Sequence, residues 1–330
     1  MTENHHAVGR AAAQELLSPI AEDLALVEAE LNQASISSVA AITEIGQYLQ
    51  ASGGKRIRPA LVLVAAHLAG CGEPTRIRLA AIVEMIHAAT LIHDDIIDGA
   101  PTRRGRPSTN ARWGNPRCVL AGDWLYMQAF RQALQLRSLP VLDTLIALTQ
   151  EMVEGELMQL EMLGRIVGAA QHRELIRRKT ARLFEVSAQL GALAMGEQDG
   201  HAALAARLGC FGHHLGMAFQ MVDDILDFTA SSERLGKPSG SDLREGKMTL
   251  PAIYAWEAAD SAERERLAAA LRGEACDVLP ILQSRGGLEH ARAESRREIE
   301  SAQAVLATLP DSPWRSTLAA IAELVLSREN

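Results

Sequence analysis

Hydrophobic residues recur along this chain mostly at intervals of three and four positions. Leu24, Val27 and Leu31 form one such series, and Ile42 and Ile45 begin the next. This spacing places apolar side chains on one face of an α-helix, whereas a half-buried strand would alternate them. No convincing alternating run is present. The pattern therefore predicts a chain that is helical nearly throughout.

Glycine- and proline-rich segments divide this pattern into separate elements. Ser52-Gly53-Gly54 ends the first helical region, and a new helix is predicted to begin near Pro59. Further helices are predicted over residues 76–98, 116–137, 140–163, 171–196 and 202–229, with loops at 99–110 and 231–246. Residues 1–12 are expected to be loose. No linker of disordered composition divides the chain, so residues 1–330 are expected to form a single all-α domain.

Composition narrows the class of protein. Of the 330 residues, 48% are hydrophobic and 4% aromatic, and the formal net charge is −8, which argues against nucleic acid as a partner. The four cysteines have no metal-binding spacing, and the N-terminus lacks a signal-peptide apolar region. No apolar stretch reaches the roughly 20 residues that a membrane helix needs. We therefore expect a reduced, cytoplasmic protein without a transmembrane segment.

Two widely separated segments share the pattern Asp-Asp-x-x-Asp: Asp94, Asp95 and Asp98 in the first, and Asp223, Asp224 and Asp227 in the second. Each lies in an otherwise apolar helical run, where residues four apart share a face. Acidic side chains are rarely buried unless they are paired or bind a metal. Two such patches on facing helices would form a negative pocket suited to divalent cations that carry a phosphate ester.

A single Asp-Asp-x-x-Asp pattern is the solvated end of a helix about as often as it is a metal site. Two copies, each followed by a basic loop, favour metal binding. The flanking cations are Lys55, Arg58, Arg103, Arg104, Lys179, Lys237 and Lys247. Alone, each is typical of a solvated surface charge. Together they would add direct phosphate contacts, and the first two precede a helix N-terminus that favours an anion. His87 shares a helix face with Asp94, although a lone histidine on a helix is more often structural.

These segments resemble those of the trans-type (E-type) polyprenyl diphosphate synthases, especially the octaprenyl diphosphate synthases. The resemblance extends from about residue 50 to 255 through GGKRIRP (53–59), HAATLIHDDIID (87–98), RRGRPSTN (103–110), EMVEGELMQL (151–160), KTARLFE (179–185), GMAFQMVDDILDF (216–228) and GKPSGSDLREGKMTLP (236–251). One departure is Ser241, where many long-chain members have an acidic residue. It lies outside the usual metal-ligand positions, so we expect it to tune activity.

The resemblance implies an isoprenoid synthase fold, a single large helical bundle with a central cavity. It implies Mg²⁺-dependent, head-to-tail condensation of isopentenyl diphosphate onto an allylic diphosphate. Farnesyl diphosphate is the expected primer, and octaprenyl diphosphate for a quinone side chain is the expected product. Three Mg²⁺ ions per site are expected, with Mn²⁺ as a substitute. A homodimer is the expected assembly, with weak membrane association during product release.

The resemblance also assigns roles to individual residues. Asp94, Asp98 and Asp223 would be the main Mg²⁺ ligands, supported by Asp95, Asp224 and Asp227. The allylic diphosphate would be bound by Arg103, Lys179, Thr180, Gln220, Lys237 and Lys247, of which Arg103, Lys179 and Lys237 are also expected to act in catalysis. The isopentenyl diphosphate would be bound by Lys55, Arg58, His87 and Arg104.

Two small residues before the first motif bear on product length. In the family, bulky aromatic residues at the positions of Ala89 and Thr90 resemble a floor that stops chain growth, so small residues there imply a long product. Met127 and Phe130 are candidates for a deeper floor. Ordinary core packing is the commoner explanation of such residues.

Three alternatives remain open. A shorter-chain farnesyl or geranylgeranyl diphosphate synthase would use the same motifs. A class I terpene cyclase shares the fold and the first motif, but it needs no isopentenyl diphosphate site, and the GGKRIRP segment argues against it. A noncatalytic regulatory subunit would typically have lost motif aspartates, and none is missing here.

Overall fold

The computed structural model describes residues 16–51, 53–54, 56–103, 105–196, 200–230 and 239–327. Helices dominate these residues, which confirms the all-α prediction. In chain order they are α1 (Ala21–Ala34), α2 (Ala40–Ala51), α3 (Ile57–Leu68), α4 (Glu73–Ile97), α5 (Thr109–Trp113), α6 (Asn115–Gln135), α7 (Leu139–Met162), α8 (Ala169–Ile176), α9 (Arg182–Leu193), α10 (His201–Thr229), α11 (Ser241–Arg244), α12 (Leu250–Ala258), α13 (Ser261–Leu271), α14 (Leu279–Ser284), α15 (Gly287–Ala307) and α16 (Pro313–Leu326). A 3₁₀ turn (Ser18–Ile20) precedes α1, and a π turn (Arg177–Ala181) joins α8 to α9.

The two long helices that carry the aspartate motifs agree with the periodicity. The helix predicted at 76–98 is α4, which has Pro74 in its first turn and follows Gly72 in an extended conformation. The helix predicted at 202–229 is α10. The segment predicted as one helix over 171–196 is instead interrupted by the π turn. None of the described helices is both long and apolar enough to cross a membrane.

Within the loop predicted at 99–110, four residues pair as a short antiparallel hairpin. Strand β1 (Thr102–Arg103) pairs with β2 (Arg106–Pro107). Gly105 between them has a φ of +74°, which glycine adopts without steric strain. The sequence pattern missed this hairpin because two residues are too few to show alternation.

The chain divides into two compact units. Unit 1 comprises Met1–Ile146, Val186–Gly209 and Pro310–Ile321, and unit 2 comprises Ala147–Glu185, Cys210–Leu309 and Ala322–Asn330. The single domain expected from the sequence stays a prediction. The segment expected to be loose, 1–12, lies outside the described residues.

In unit 1, α4 packs most extensively against α6 and also against α1 and α3. Every residue of α3 from Pro59 to Ala66 is buried, as expected of a helix enclosed on all sides. Gly191 lies against α3, where a Cβ would be 2.4 Å from the Ala66 Cα. This helix contact therefore has no space for a side chain at position 191.

The core-packing interpretation of Met127 is wrong. Its side chain is 62% exposed on α6, whereas Phe130 on the same helix is half-buried. Met127 therefore belongs to a surface of unit 1.

The core of unit 2 lies beneath the second aspartate motif. Met217, Met221 and Ile225 form an apolar stripe along α10, and they pack in one cluster with Leu250 and Ile253 of α12 and with residues of α15. The intervals of four place this stripe on one face of α10. The stripe fixes which face the aspartates occupy.

Candidate active site

The first aspartate motif lies at the C-terminal end of α4. Asp94 and Asp95 belong to the helix, and the Asp98 N–H donates to the Asp94 carbonyl at 2.8 Å. Asp94 is half-buried and Asp98 is exposed, whereas Asp95 is only 1% exposed. Asp94 and Asp98, four residues apart, are therefore the members of this motif that solvent reaches.

Asp95 binds the hairpin instead of facing solvent. Its Oδ1 accepts a hydrogen bond from Arg103 Nε at 2.6 Å, and its carbonyl accepts one from Asn110 Nδ2 at 3.1 Å. Burial raises the pKa of Asp95, and the positive charge of Arg103 opposes this rise without cancelling it. The pair holds Arg103, a predicted diphosphate ligand, beside the first motif.

Tyr48 of α2 also fixes the hairpin. Its hydroxyl donates to the Pro107 carbonyl at 2.7 Å, and the Arg106 guanidinium carbon lies 4.5 Å from the centre of its ring. Trp113 contacts the same ring edge-on, with 5.1 Å between ring centres. A cation–π contact of this kind stabilises a charged loop without removing its charge. The sequence analysis did not single out Tyr48.

Two neighbouring arginines at the start of α3 have different partners. Arg56 adopts a left-handed backbone conformation, with φ at +49°, and its guanidinium binds Glu28 and Glu84. Burial lowers the pKa of Arg56, but these two carboxylates raise it more, so its pKa lies above the ordinary value. Arg56 therefore ties α1 and α4 to the start of α3.

Arg58 lies beside His87, as the predicted isopentenyl diphosphate site requires. Its Nη1 is 3.2 Å from His87 Nε2. A guanidinium can only donate, so in this hydrogen bond Nε2 accepts and the ring proton lies on Nδ1. Lys55 and Arg104, the other two residues predicted for this substrate, lie outside the described residues.

A cleft in unit 1 includes several of these side chains. His87, Asp95 and Arg103 line it, and its apolar wall comprises Leu31, Leu49, Met85, Ala88, Leu91 and Leu125. Leu91 lies between His87 and Asp94 on α4 and forms part of this apolar wall. An apolar cleft with a few converging polar groups is the common form of a small-molecule site.

The second motif, in unit 2, shows the same division between exposed and enclosed aspartates. Asp223 is half-buried, whereas Asp224 and Asp227 are each 2% exposed. Asp227 accepts a hydrogen bond from Ser241 Oγ at 2.8 Å and another from the Asp242 N–H at 3.1 Å. Ser241, the departure from the family pattern, therefore contacts the motif directly through Asp227.

Side chains of unit 2 hold the Asp224 carboxylate on both oxygens. Its Oδ2 lies 2.8 Å from His172 Nε2, and its Oδ1 accepts from Gln220 Nε2 at 2.9 Å. Gln220 Oε1 accepts in turn from Thr180 Oγ1 at 2.8 Å. The structure thus joins three predicted site residues, Thr180, Gln220 and Asp224, in one hydrogen-bonded chain.

His172, the fourth member of this chain, was missed by the sequence analysis. It lies on α8 with Leu175 and Ile176, three and four residues further on, and all three are buried. That spacing was the signal available, because it places His172 on the apolar face of a helix. The pattern predicts burial but does not identify the partner.

The π turn carries Lys179 and Thr180. It is closely approached by two other helices at glycines: a Cβ on Gly155 of α7 would lie 2.9 Å from Arg178 Cβ, and one on Gly216 of α10 would lie 2.6 Å from Ala181 Cα. Such turns are rare and frequently occur at functional sites. The two glycines leave little room for the turn to move.

The two described lysines of the predicted diphosphate site each bind a carboxylate. Lys179 Nζ lies 2.6 Å from Glu156 Oε2, and Lys247 Nζ lies 2.9 Å from Glu245 Oε2. A diphosphate would have to replace or share these contacts. Lys237 lies outside the described residues.

The six aspartates therefore form two groups. Asp94, Asp98 and Asp223 are at least partly exposed, and Asp95, Asp224 and Asp227 are enclosed by protein donors. Mg²⁺ prefers oxygen ligands and is usually held by one or two carboxylates together with water and substrate phosphates. The donor chemistry of the exposed group fits such an ion. Among the described residues, no cluster of three or more His, Cys, Asp or Glu side chains is arranged to hold a metal.

The chain is similar to known proteins over most of its length. Residues 39–280 match the protein family described as polyprenyl synthetase. The chain is 37% identical to octaprenyl diphosphate synthase of Escherichia coli (strain K12), over 94% of this chain and 97% of that protein. It is 36% identical to an all-trans-nonaprenyl-diphosphate synthase (geranyl-diphosphate specific) of Rhodobacter capsulatus, over 96% and 98% of the two chains.

A solved structure gives the same result for the fold. The polyprenyl synthase of Caulobacter crescentus CB15, complexed with calcium and isoprenyl diphosphate, matches with a TM-score of 0.90 at 34% identity, over 96% of this chain and 98% of that chain. These matches confirm the resemblance inferred from the motifs and the isoprenoid synthase fold that it implied.

We expect Gly216→Ala to displace the π turn, because the new Cβ would lie 2.6 Å from Ala181 Cα and 2.9 Å from Phe184 Cβ. Overpacking of this kind costs about 1–3 kcal/mol, so the thermal unfolding midpoint should fall. Gly168→Ala is the control in the same unit, because a Cβ there meets nothing within 4 Å. Equal midpoints for wild type and Gly216→Ala would contradict the close approach.

Proposed function

This chain belongs to the polyprenyl synthetase family, and we propose that it is a long-chain synthase that extends an allylic diphosphate with isopentenyl diphosphate. The observation that carries the proposal is the division of the motif aspartates. Asp94, Asp98 and Asp223 are accessible to solvent, while two of the enclosed aspartates, Asp95 and Asp224, bind Arg103 and Gln220 of the predicted diphosphate site. A regulatory subunit would have no need to retain both groups.

The proposed primer is farnesyl diphosphate, and the proposed product is octaprenyl diphosphate for a quinone side chain. The name of the Escherichia coli relative supports this product, and that of the Rhodobacter capsulatus relative supports a long chain with a different primer. Both are similar to this chain over nearly its whole length. Chain length and primer are therefore the properties to measure first.

In the proposed mechanism, Asp94, Asp98 and Asp223 would hold Mg²⁺, and the ion would supply Lewis-acid stabilisation of the leaving diphosphate. The Caulobacter relative, whose structure is complexed with calcium, supports the use of a divalent cation. Arg103, held by Asp95, donates to diphosphate oxygens as a permanent cation. Further donors to the same group come from Lys179 and the segment around Thr180.

The second substrate is proposed to bind at Arg58 and His87. The carbon–oxygen bond to the allylic diphosphate breaks to give an allylic cation, which the double bond of isopentenyl diphosphate attacks. The proton that is then lost passes to the departing diphosphate. The apolar wall of the cleft, which includes Ala88, Leu91 and Leu125, would exclude water from the allylic cation. Water there would hydrolyse the substrate instead of extending it.

Incubation of the purified chain with farnesyl diphosphate, labelled isopentenyl diphosphate and Mg²⁺ tests the proposal, with product length read by mass spectrometry. We expect octaprenyl diphosphate, no product in excess chelator, and recovery with Mg²⁺ or Mn²⁺. Asp94→Asn, Asp98→Asn and Asp223→Asn should each lower kcat by about a hundredfold or more, as for loss of a group that stabilises developing charge. Asp143→Asn, an exposed aspartate of α7, is the control.

The other outcomes separate the alternatives. A farnesyl or geranylgeranyl product would retain the reaction but exclude the long chain. Diphosphate release without chain extension would favour a cyclase. Turnover only with an added partner chain would favour a regulatory subunit.

Ala89 and Thr90 are proposed to keep the product path open. Ala89 is fully buried in a cluster with Ile45, Cys118 and Leu125, and Thr90 is half-buried and donates to the His87 carbonyl at 2.8 Å. A larger side chain at position 89 would not fit within this cluster and would extend into the proposed product path.

Ala89→Phe should therefore shorten the product by several isoprene units, and Ala89→Val should shorten it less. Mass spectrometry of the products measures both, with circular dichroism to verify that each variant is folded. An unchanged product distribution from folded Ala89→Phe would exclude this role.

A homodimer is also proposed, because two helices expose apolar stripes. Leu120, Met127 and Leu134 of α6 are 66%, 62% and 54% exposed, and they recur at intervals of seven. The same interval relates four exposed residues of α7: Leu139, Ile146, Val153 and Leu160. Residues seven apart share one helix face, and large exposed apolar patches mark interfaces.

Met127→Glu should convert the dimer to a monomer, because a charge at the centre of the α6 stripe would lose its hydration on association. Sedimentation velocity measures the change. Leu26→Glu, which replaces a 43% exposed leucine of α1 outside the stripe, is the matched control. A monomeric wild type would disprove the assembly.

A further inference from the structure

We propose that His172 is a positioning residue of the diphosphate site and acts through Asp224 and Gln220 on Thr180. This inference rests on the proposed function, because it assigns diphosphate binding to that part of unit 2. His172 is 4% exposed and Asp224 is 2% exposed, with 2.8 Å between Nε2 and Oδ2. The pair is therefore shielded from water, where a hydrogen bond to a carboxylate has its largest effect.

Asp224 sets the orientation of the Gln220 amide. A carboxylate can only accept, so the amide nitrogen must face Asp224 Oδ1, at 2.9 Å, and the amide oxygen must face Thr180 Oγ1, at 2.8 Å. The hydroxyl of Thr180 must then donate to Gln220. The second N–H of Gln220 is consequently the donor that this pair can offer to an anion.

His172 is needed because Asp224 is enclosed. Removing its imidazole would leave Oδ2 of a buried carboxylate without that donor, which is costly. Asp224 would then turn toward another donor and release Gln220. Thr180 could not move with Gln220, because α7 and α10 pack closely against the π turn at Gly155 and Gly216. The hydrogen bond between Thr180 and Gln220 would therefore break.

The same geometry distinguishes Asp224 from its neighbour. Both Asp224 oxygens contact protein side chains, whereas Asp223 is half-buried. Asp224 thus supports the site through Gln220 without contacting a metal ion. Within this pair, Asp223 is the proposed metal ligand, and Asp224 orients Gln220.

Calorimetric binding of inorganic diphosphate with Mg²⁺ tests the proposal in the full chain. We expect His172→Leu to weaken binding by about tenfold, the effect of losing one hydrogen bond to a charged group. His172→Gln, which keeps an N–H donor, should recover most of that loss. His214→Leu is the matched control, because it breaks another histidine–carboxylate pair of unit 2, with Glu298 at 2.7 Å, and should bind like wild type.

Thermal unfolding of the same variants separates positioning from stability. If His172→Leu is destabilised but binds diphosphate like wild type, His172 is only structural and the proposal is wrong. If His172→Leu does not fold, Gln220→Met decides, because methionine keeps the length of the side chain but offers no N–H to the diphosphate. Unchanged binding by Gln220→Met would overturn the proposal.

The condensation assay distinguishes this proposal from the function on which it rests. His172→Leu should raise KM for the allylic diphosphate more than KM for isopentenyl diphosphate. Wild type that binds diphosphate in the His172-dependent manner but makes no condensation product would overturn the proposed function alone. Wild type that does not bind diphosphate would overturn both.

Discussion

The enclosure of three motif aspartates is the constraint on which the surroundings of both aspartate motifs depend. A buried carboxylate needs hydrogen-bond donors, and each of these takes at least one from a segment outside its own helix. Arg103 of the hairpin serves Asp95, and Ser241 at the start of α11 serves Asp227. Asp95 and Asp227 therefore order the segments that follow the two motifs. Loss of either aspartate would leave the donors of that segment without their acceptor.

Close backbone approach is the second constraint, and it acts on the π turn. Lys179 and Thr180 lie in a segment that α7 and α10 approach at Gly155 and Gly216. Protein interiors are packed so densely that adding a single methyl group displaces neighbouring atoms. The turn is thus held by shape, while the chain from Thr180 to Asp224 is held by hydrogen bonds. Together these contacts fix the positions of Thr180 and Gln220, two residues of the proposed diphosphate site.

Residues of the same type have different partners, and therefore different roles, in this protein. Two arginines at the start of α3 illustrate it: Arg56 is neutralised by two glutamates inside unit 1, whereas Arg58 lies beside His87. A guanidinium suits either an internal carboxylate or a phosphate, so the residue type alone does not distinguish the two roles. Family membership establishes the enzyme class. The contacts of individual residues supply the hypotheses about substrate binding and product length.

The sequence by itself determined the helices and the identity of the acidic motifs. Helical periodicity is a local property, so it located α4 and α10 with their aspartates. It did not reveal the hairpin, whose strands are too short to show a period, or the exposure of each aspartate. His172 and Asp224 are 52 residues apart, and no local pattern pairs them. Only the tertiary structure decided which carboxylates are enclosed, because burial depends on segments that meet after the chain has folded.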